Sequence, residues 1–203
     1  MRLFDGGRVP NARRVRIFLA EKGITVPLEP IDLGKKEHRS AAYLAKNPLG
    51  RVPALELDDG TVITESVAIC RYFEEIQPEP VLFGLGALGK AQVEMWNRRA
   101  ELELYLSVQN AFRHTHPGMA GYEVPQIPEW GEANRPRALE AMQLFDSQLT
   151  RHRFVAGDAF SIADITAFVA IEFLKPAKIT LPETLLHLRR WHAECAARPS
   201  AGA

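Results

Sequence analysis

The chain has 203 residues, of which 46% are hydrophobic and 25% charged, a composition typical of a globular protein with a sizeable core. Its acidic and basic residues balance to a formal net charge of zero, with a pI of about 7.0. This balance argues against a general role at nucleic acid or at a membrane surface, and no apolar run approaches the length of a membrane span.

The two cysteines, Cys70 and Cys195, lie far apart and lack the spacing of a metal site. Each falls on the apolar side of a predicted helix, so we expect both to be buried as small apolar residues. No signal peptide precedes the first predicted strand, and free cysteines are typical of a reducing compartment. We therefore expect a cytoplasmic protein without a metal.

Strand and helix signals alternate over the first part of the chain. Residues 1–4 predict a strand, and Asn11 is expected to cap a helix that ends at Lys22. Residues 26–31 predict a second strand, which its prolines place near a sheet edge. A short helix over residues 40–46 follows.

A hairpin is predicted over residues 52–63, with its turn at Asp59-Gly60. Proline has no backbone N–H and is excluded from central strands. Its position at the entrance of this hairpin therefore predicts a special turn with a cis bond at Val52-Pro53. A helix over residues 65–76 completes this mixed α/β region.

Strand signals stop after residues 78–89, a stretch rich in proline and glycine that predicts a linker. A long helix is expected over residues 90–112, with Val93, Trp96, Ala100 and Leu104 as its apolar stripe. A loop is expected over residues 116–136 and a helix over residues 134–150. The inward face of that helix is predicted to consist of Leu139, Met142, Phe145 and Leu149.

The last part of the chain is also predicted to be helical. Ser161 and Asp164 have the spacing of a capping box ahead of an apolar helix, which gives Asp164 a structural role. Pro182 is expected to open the last helix, which carries Leu185, Leu188, Trp191 and Cys195.

Two features of the hairpin region indicate a ligand site. The turn at Val52-Pro53 would leave the N–H and C=O of Val52 free to pair with the backbone of a bound peptide. Glu65 and Ser66 lie at a helix N-terminus, where free N–H groups and the helix dipole bind a carboxylate. The pattern predicts a receptor for a small peptide-like ligand with an acidic end.

This layout resembles that of the cytosolic glutathione transferases. The resemblance covers nearly the whole chain and rests on PNARRVRIFLAEKG, the Val52-Pro53 and Glu65-Ser66 pairs, and FSIADITAF. It implies a thioredoxin-like, glutathione-binding domain over residues 1–77, a linker over residues 78–89, and an all-helical domain over residues 90–203 that forms the electrophile pocket. It also implies a symmetric homodimer that conjugates glutathione, its co-substrate, to small hydrophobic electrophiles in detoxification.

The resemblance assigns glutathione-binding roles to Val52, Glu65 and Ser66, which would hold the cysteinyl backbone and the γ-glutamyl group. It assigns the glycyl carboxylate to His38 and Arg51, because a basic side chain stabilises an anionic peptide end. The alternative for His38 is an ordinary surface residue.

Thiol activation departs from the family pattern, in which a hydroxyl or thiol before the first helix donates to the sulfur. Val9 stands there and cannot donate. Asn11 could donate through its side-chain amide or its N–H, or be a plain N-cap. His114 or His116 could orient a water or act as a base, or simply favour a helix end. The helix dipole, with Arg8 nearby, could also suffice.

The sequence also contains a cluster of arginines and is compatible with other functions. Arg13, Arg14 and Arg16 are expected to form a solvated helix face. A non-catalytic binding or interaction protein is one rival function, and a glutathione-dependent isomerase or dehalogenase is another. A thiol–disulfide enzyme would need an attacking thiolate, and no cysteine lies near Pro10.

Overall fold

The computed structural model describes all residues, 1–203. The chain divides into two compact units, one formed by Met1–Val81 with Pro199–Ala203 and the other by Leu82–Arg198. The first is mixed α/β and the second is all-helical, which confirms the predicted fold class. The domain boundaries expected from the sequence stay a prediction.

The first unit contains a four-stranded sheet in the order β2-β1-β3-β4. Its strands are β1 (Arg2–Asp5), β2 (Leu28–Pro30), β3 (Ala54–Glu56) and β4 (Val62–Thr64). β1 is parallel to β2 and antiparallel to β3, and β3 is antiparallel to β4. β2 lies at an edge, as Pro30 predicted, because an edge strand needs fewer ladder donors.

Three helices belong to this unit: α1 (Pro10–Lys22), α2 (Ala41–Leu44) and α3 (Ser66–Ile76). The prediction that Asn11 caps α1 is wrong. Val9 is the N-cap, because Pro10 already has the backbone φ of a first helical residue and needs no N–H there. The apolar face of α3 is buried except at Ile76, which is 54% exposed in the last turn.

The second unit begins with one long helix that comprises α4 (Gly86–Arg99), a π-helical stretch (Ala100–Tyr105) and α5 (Leu106–Thr115). The predicted stripe of Val93, Trp96, Ala100 and Leu104 is buried, as expected. The other helices are α6 (Pro128–Leu149), α7 (Ile162–Glu172) and α8 (Leu186–Ala196). None of the helices is both long and apolar enough to cross a bilayer.

Three predictions about these helices are wrong. The predicted loop over residues 116–136 ends early, because Pro128 opens α6 and Pro136 is accommodated on its exposed side. Leu139 is exposed, and the smaller Ala138 and Ala141 are buried beside Met142 instead. The last helix begins at Leu186, after a turn that Pro182 starts.

The capping box at α7 is confirmed, and Asp164 is the hub of a buried network. Its two oxygens accept hydrogen bonds from the N–H groups of Val155 and Ser161, from the Ser161 hydroxyl and from Nε1–H of Trp191, at 2.8–3.0 Å. Burial raises the pKa of Asp164 to about 6 in spite of these donors. Cys70 and Cys195 are buried, as predicted, and form no disulfide with each other.

Candidate functional site

The loop from β1 to α1 runs through residues 6–9 and is closely packed. A Cβ on Gly6 would lie only 2.5 Å from Cγ2 of Val52 and 3.0 Å from Cγ2 of Val9. Only glycine fits there, so Gly6 allows this loop to approach the entrance of β3. The contact brings Val9, at the position of the missing hydroxyl, next to Val52.

The N-terminus of α1 has no side-chain cap. Its first-turn N–H groups therefore stay available to a ligand, and the helix dipole adds positive potential. Asn11 lies in this turn, and its Oδ1 is buried without a hydrogen-bond partner. Arg8, in the loop before the helix, is exposed.

The entrance of β3 has the geometry expected from the sequence. The Val52-Pro53 peptide bond is cis, which confirms the prediction. The carbonyl of Arg51 accepts two hydrogen bonds of 2.7 Å, from the hydroxyl of Tyr43 and from Nδ2 of Asn47. Val52 comes next, outside the strand, and its own N–H and C=O take part in none of the backbone hydrogen bonds of the loops. The loop is thus held at Arg51 while the next residue keeps both backbone groups free.

His38 lies in a 3₁₀ turn (Glu37–Arg39) and is 5% exposed, so its interpretation as an ordinary surface residue is wrong. Its carbonyl oxygen would lie 2.8 Å from a Cβ on Gly50, which packs this turn against the residue before Arg51. Burial, and then the charges of Arg39 and Lys36, lower the pKa of His38. The Arg51 side chain is exposed.

The N-terminus of α3 carries the Glu65-Ser66 pair. Glu65 is the N-cap, is exposed, and has φ of 66°, a left-handed conformation that is costly for a residue other than glycine. Ser66 is buried, and its Oγ accepts a hydrogen bond of 2.8 Å from Nη1 of Arg14. In β3 and β4, Ala54 pairs with Thr64, so Val52-Pro53 and Glu65-Ser66 lie at the same end of the hairpin.

Arg14 is the residue of this site that sequence reasoning missed. The prediction of a solvated face for the three arginines is wrong, because Arg14 is only 1% exposed and Arg13 and Arg16 are half-buried with hydrogen-bond partners. The sequence feature that indicates the burial of Arg14 is its helical spacing from apolar residues. Arg14 lies three and four residues before Ile17 and Phe18, both buried, and therefore shares the inward face of α1.

His114 and His116 belong to the second unit, at the end of α5 and just after it. Nδ1 of His114 accepts a hydrogen bond of 3.1 Å from the N–H of Ile127, and its Nε2 lies 3.8 Å from Oε1 of Glu123. Nδ1 of His116 accepts one of 3.1 Å from the N–H of Gly118. Each histidine therefore has a role in holding the loop after α5.

A cleft of about 570 Å³ lies between α6 and the π-helical and α5 part of the long helix. Its lining includes four side chains that are large, apolar and exposed: Leu102, Leu106, Trp130 and Leu144. Arg99 and Arg137 also line it. Glu103 and Glu140 line it as well, so exposed apolar side chains lie here among charges of both signs.

Comparisons with known proteins agree with the two-unit architecture. The model of the glutathione S-transferase N-terminal domain matches residues 10–76, and the model of the C-terminal domain matches residues 122–199. The chain is 42% identical over 203 residues to glutathione S-transferase 2 of Saccharomyces cerevisiae, an alignment that covers 98% of this chain and 87% of that protein.

Solved structures agree. A glutathione S-transferase domain-containing protein of Marinobacter aquaeolei VT8 superposes with a TM-score of 0.96 at 41% identity, over 98% of this chain and 99% of that one. Gtt2 of Saccharomyces cerevisiae gives a TM-score of 0.95 at 42% identity, over 100% and 99% of the two chains. The fold, the hairpin with its cis Val52-Pro53 bond and these matches together establish that the chain belongs to the glutathione S-transferase family, enzymes that use glutathione as co-substrate.

Proposed function

We propose that the protein conjugates the thiolate of glutathione to small hydrophobic electrophiles, as a detoxifying enzyme of the cytoplasm. The observation that carries the proposal is the common end of the β3–β4 hairpin, where the free backbone groups of Val52 and the uncapped N-terminus of α3 come together. A tripeptide with an extended centre and an acidic end suits both features.

Each part of glutathione has a counterpart in this unit. The N–H and C=O of Val52 pair with the cysteinyl residue, and the hydroxyl of Ser66 with the first-turn N–H groups of α3 binds the γ-glutamyl carboxylate. Glu65, which is exposed, pairs with the γ-glutamyl ammonium. His38 and Arg51 bind the glycyl carboxylate.

Thiol activation is shared in this proposal, because Val9 offers no donor. The N–H groups of the first turn of α1, the side chain of Asn11 and a water near His114 or His116 together stabilise the thiolate. Support comes from the uncapped N-terminus of α1, whose first-turn N–H groups no side chain occupies. The buried Oδ1 of Asn11 is an acceptor without a partner, so it suits the O–H of a water whose other hydrogen donates to the sulfur.

We also propose a symmetric homodimer, with the first domain of one subunit against the helical domain of the other. The exposed apolar lining of the cleft beside α6 supports this, because a surface of this kind commonly marks an interface between subunits. Sedimentation at micromolar concentration should give twice the 22.7 kDa of one chain. A mass near one chain would contradict the dimer.

Calorimetry with glutathione, paired with a conjugation assay on a panel of small electrophiles, tests the function. S-methylglutathione is the matched probe, because it keeps the peptide and lacks the thiol. The proposal predicts that both peptides bind and that glutathione alone is consumed. Binding of both without turnover on any electrophile would favour the non-catalytic alternative.

A further inference from the structure

One ion pair holds both backbone groups of Gly7, in the loop that leads into α1. Oδ2 of Asp5 accepts a hydrogen bond of 2.8 Å from the N–H of Gly7. Nη1 of Arg16 donates a hydrogen bond of 2.8 Å to the carbonyl of Gly7. The same nitrogen of Arg16 pairs with Oδ1 of Asp5. The contacts close a ring around the loop.

This ring leaves the loop little freedom. The side chains of Asp5 and Arg16 are only 10% and 17% exposed, so water screens their ion pair only in part. The hydrogen bond from Arg16 to the carbonyl of Gly7 lies nearer the solvent. Gly7 has φ of +67°, and Gly6 has no room for a side chain. The close packing at Gly6 and the two hydrogen bonds at Gly7 therefore fix the path of the chain from β1 into α1.

A fixed path matters because the loop leads directly into the first turn of α1. The side chain of Val9 cannot donate a hydrogen bond to the ligand, so the donors at the start of α1 are mainly backbone N–H groups. A serine hydroxyl can rotate towards a displaced sulfur, but a backbone N–H cannot. The direction in which these donors point is therefore set by the backbone of the loop and of the first turn of α1, and no side-chain rotation can correct it.

We propose that Asp5 and Arg16 are positioning residues for the glutathione thiolate, which they serve by fixing the loop before α1. The inference rests on the proposed function. Arg16 also neutralises the carboxylate of Asp5, which would otherwise oppose a nearby thiolate. Arg8, the other charged residue of this loop, is a cation and favours the thiolate, whereas the guanidinium of Arg13 is directed to the carbonyl of Ala201.

The test compares Arg16→Met with Arg13→Met, a matched control on the same helix. The pKa of bound glutathione is measured by thiolate absorbance against pH, and affinity is measured with S-methylglutathione. In Arg16→Met the ionisation constant of the bound thiol should fall about 3- to 10-fold, which corresponds to a rise in thiol pKa of about 0.5 to 1 unit. Affinity for S-methylglutathione should change less than about twofold, because the groups that bind the peptide are untouched. Arg13→Met should match the parent in both.

A parent-like thiol pKa in Arg16→Met would overturn the positioning role. If the parent itself bound neither peptide, or bound glutathione without lowering its thiol pKa, the proposed function would fail instead. Asp5→Ala serves if Arg16→Met does not fold, because it removes the acceptor of the Gly7 N–H. The positioning role predicts a raised thiol pKa in Asp5→Ala, whereas loss of the Asp5 charge alone would lower that pKa and overturn the role. The double variant Asp5→Asn/Arg16→Met should keep the raised thiol pKa. A return to the parent value would mean that charge alone was responsible.

Discussion

Arg14 donates a hydrogen bond from Nη1 to Oγ of Ser66 over 2.8 Å, and both side chains are buried. A serine hydroxyl has one proton and two lone pairs. Because Arg14 occupies a lone pair, the proton of Ser66 is left for another acceptor, such as the carboxylate of a ligand at the N-terminus of α3. The buried Arg14 on α1 thus orients the hydroxyl of Ser66 on α3 as a donor to a ligand.

Replacing Arg14 by Met should weaken glutathione binding and destabilise the first unit. The Oγ of Ser66 would lose its donor, which costs about 1–3 kcal/mol when the group stays buried. Calorimetry and urea denaturation measure the two effects, and Arg13→Met is the control for affinity, because Arg13 donates to the carbonyl of Ala201 and not to Ser66. A lower unfolding free energy with parent-like affinity would reduce Arg14 to a structural residue.

The sequence predicted the order of the elements and the ends of the hairpin, because proline, glycine and alternation act locally. It did not predict the burial of Arg14, because a run of charges is usually solvated and the partner, Ser66, lies 52 residues away. Leu139 was misplaced for a similar reason. Which face of α6 is buried depends on its neighbours in space, and small alanines fill that contact.

His38 should couple glutathione binding to proton uptake. Burial and neighbouring cations lower its pKa in the free protein, whereas a bound glycyl carboxylate would raise that pKa again. Affinity should therefore be highest when His38 is protonated in both states, and should fall as pH rises through the pKa in the complex. Titrations in two buffers of different ionisation enthalpy measure this uptake.

The matched variant for that experiment is His38→Gln, which removes the titrating group. It should abolish the proton uptake, which in the parent is seen at pH values between the pKa of His38 in the free protein and its pKa in the complex. Rising affinity towards acid pH in His38→Gln, equal to that of the parent, would assign the dependence to another group. His187→Gln, in the helical unit, is the control and should bind like the parent.

Thiol activation should depend fully on no single side chain. Replacing Asn11, His114 or His116 by Ala should each lower kcat by about 10- to 100-fold at most, because one donor among several contributes a few kcal/mol. The histidine variants should also lower thermal stability, since the N–H groups of Ile127 and Gly118 lose their acceptors. Asn11→Ala that abolished turnover with intact affinity would make Asn11 the dedicated donor.

Asp164 should make stability depend on pH. Its pKa is raised from 3.8 to about 6 in the folded protein, so its contribution is fully present below the unfolded value and is lost as pH rises through about 6. The difference in unfolding free energy between the parent and Asp164→Asn should be about 2 kcal/mol larger at pH 4 than at pH 7.

Urea denaturation at the two pH values measures this difference. Asp158→Asn is the control, because its carboxylate is 85% exposed and should leave the pH dependence unchanged. A gap between the parent and Asp164→Asn that stays constant with pH would mean that Asp164 titrates alike in the folded and unfolded states.

The titration of glutathione into the parent, Ser66→Ala and Glu65→Gln tests the central claim most directly, which is that the N-terminus of α3 binds the γ-glutamyl group. Ser147→Ala and the α3 variant Glu75→Gln, both at exposed positions, are the controls. The two site variants should raise Kd by about 5- to 150-fold, the equivalent of about 1–3 kcal/mol, while the controls match the parent. Parent-like Kd values in both site variants would contradict the account.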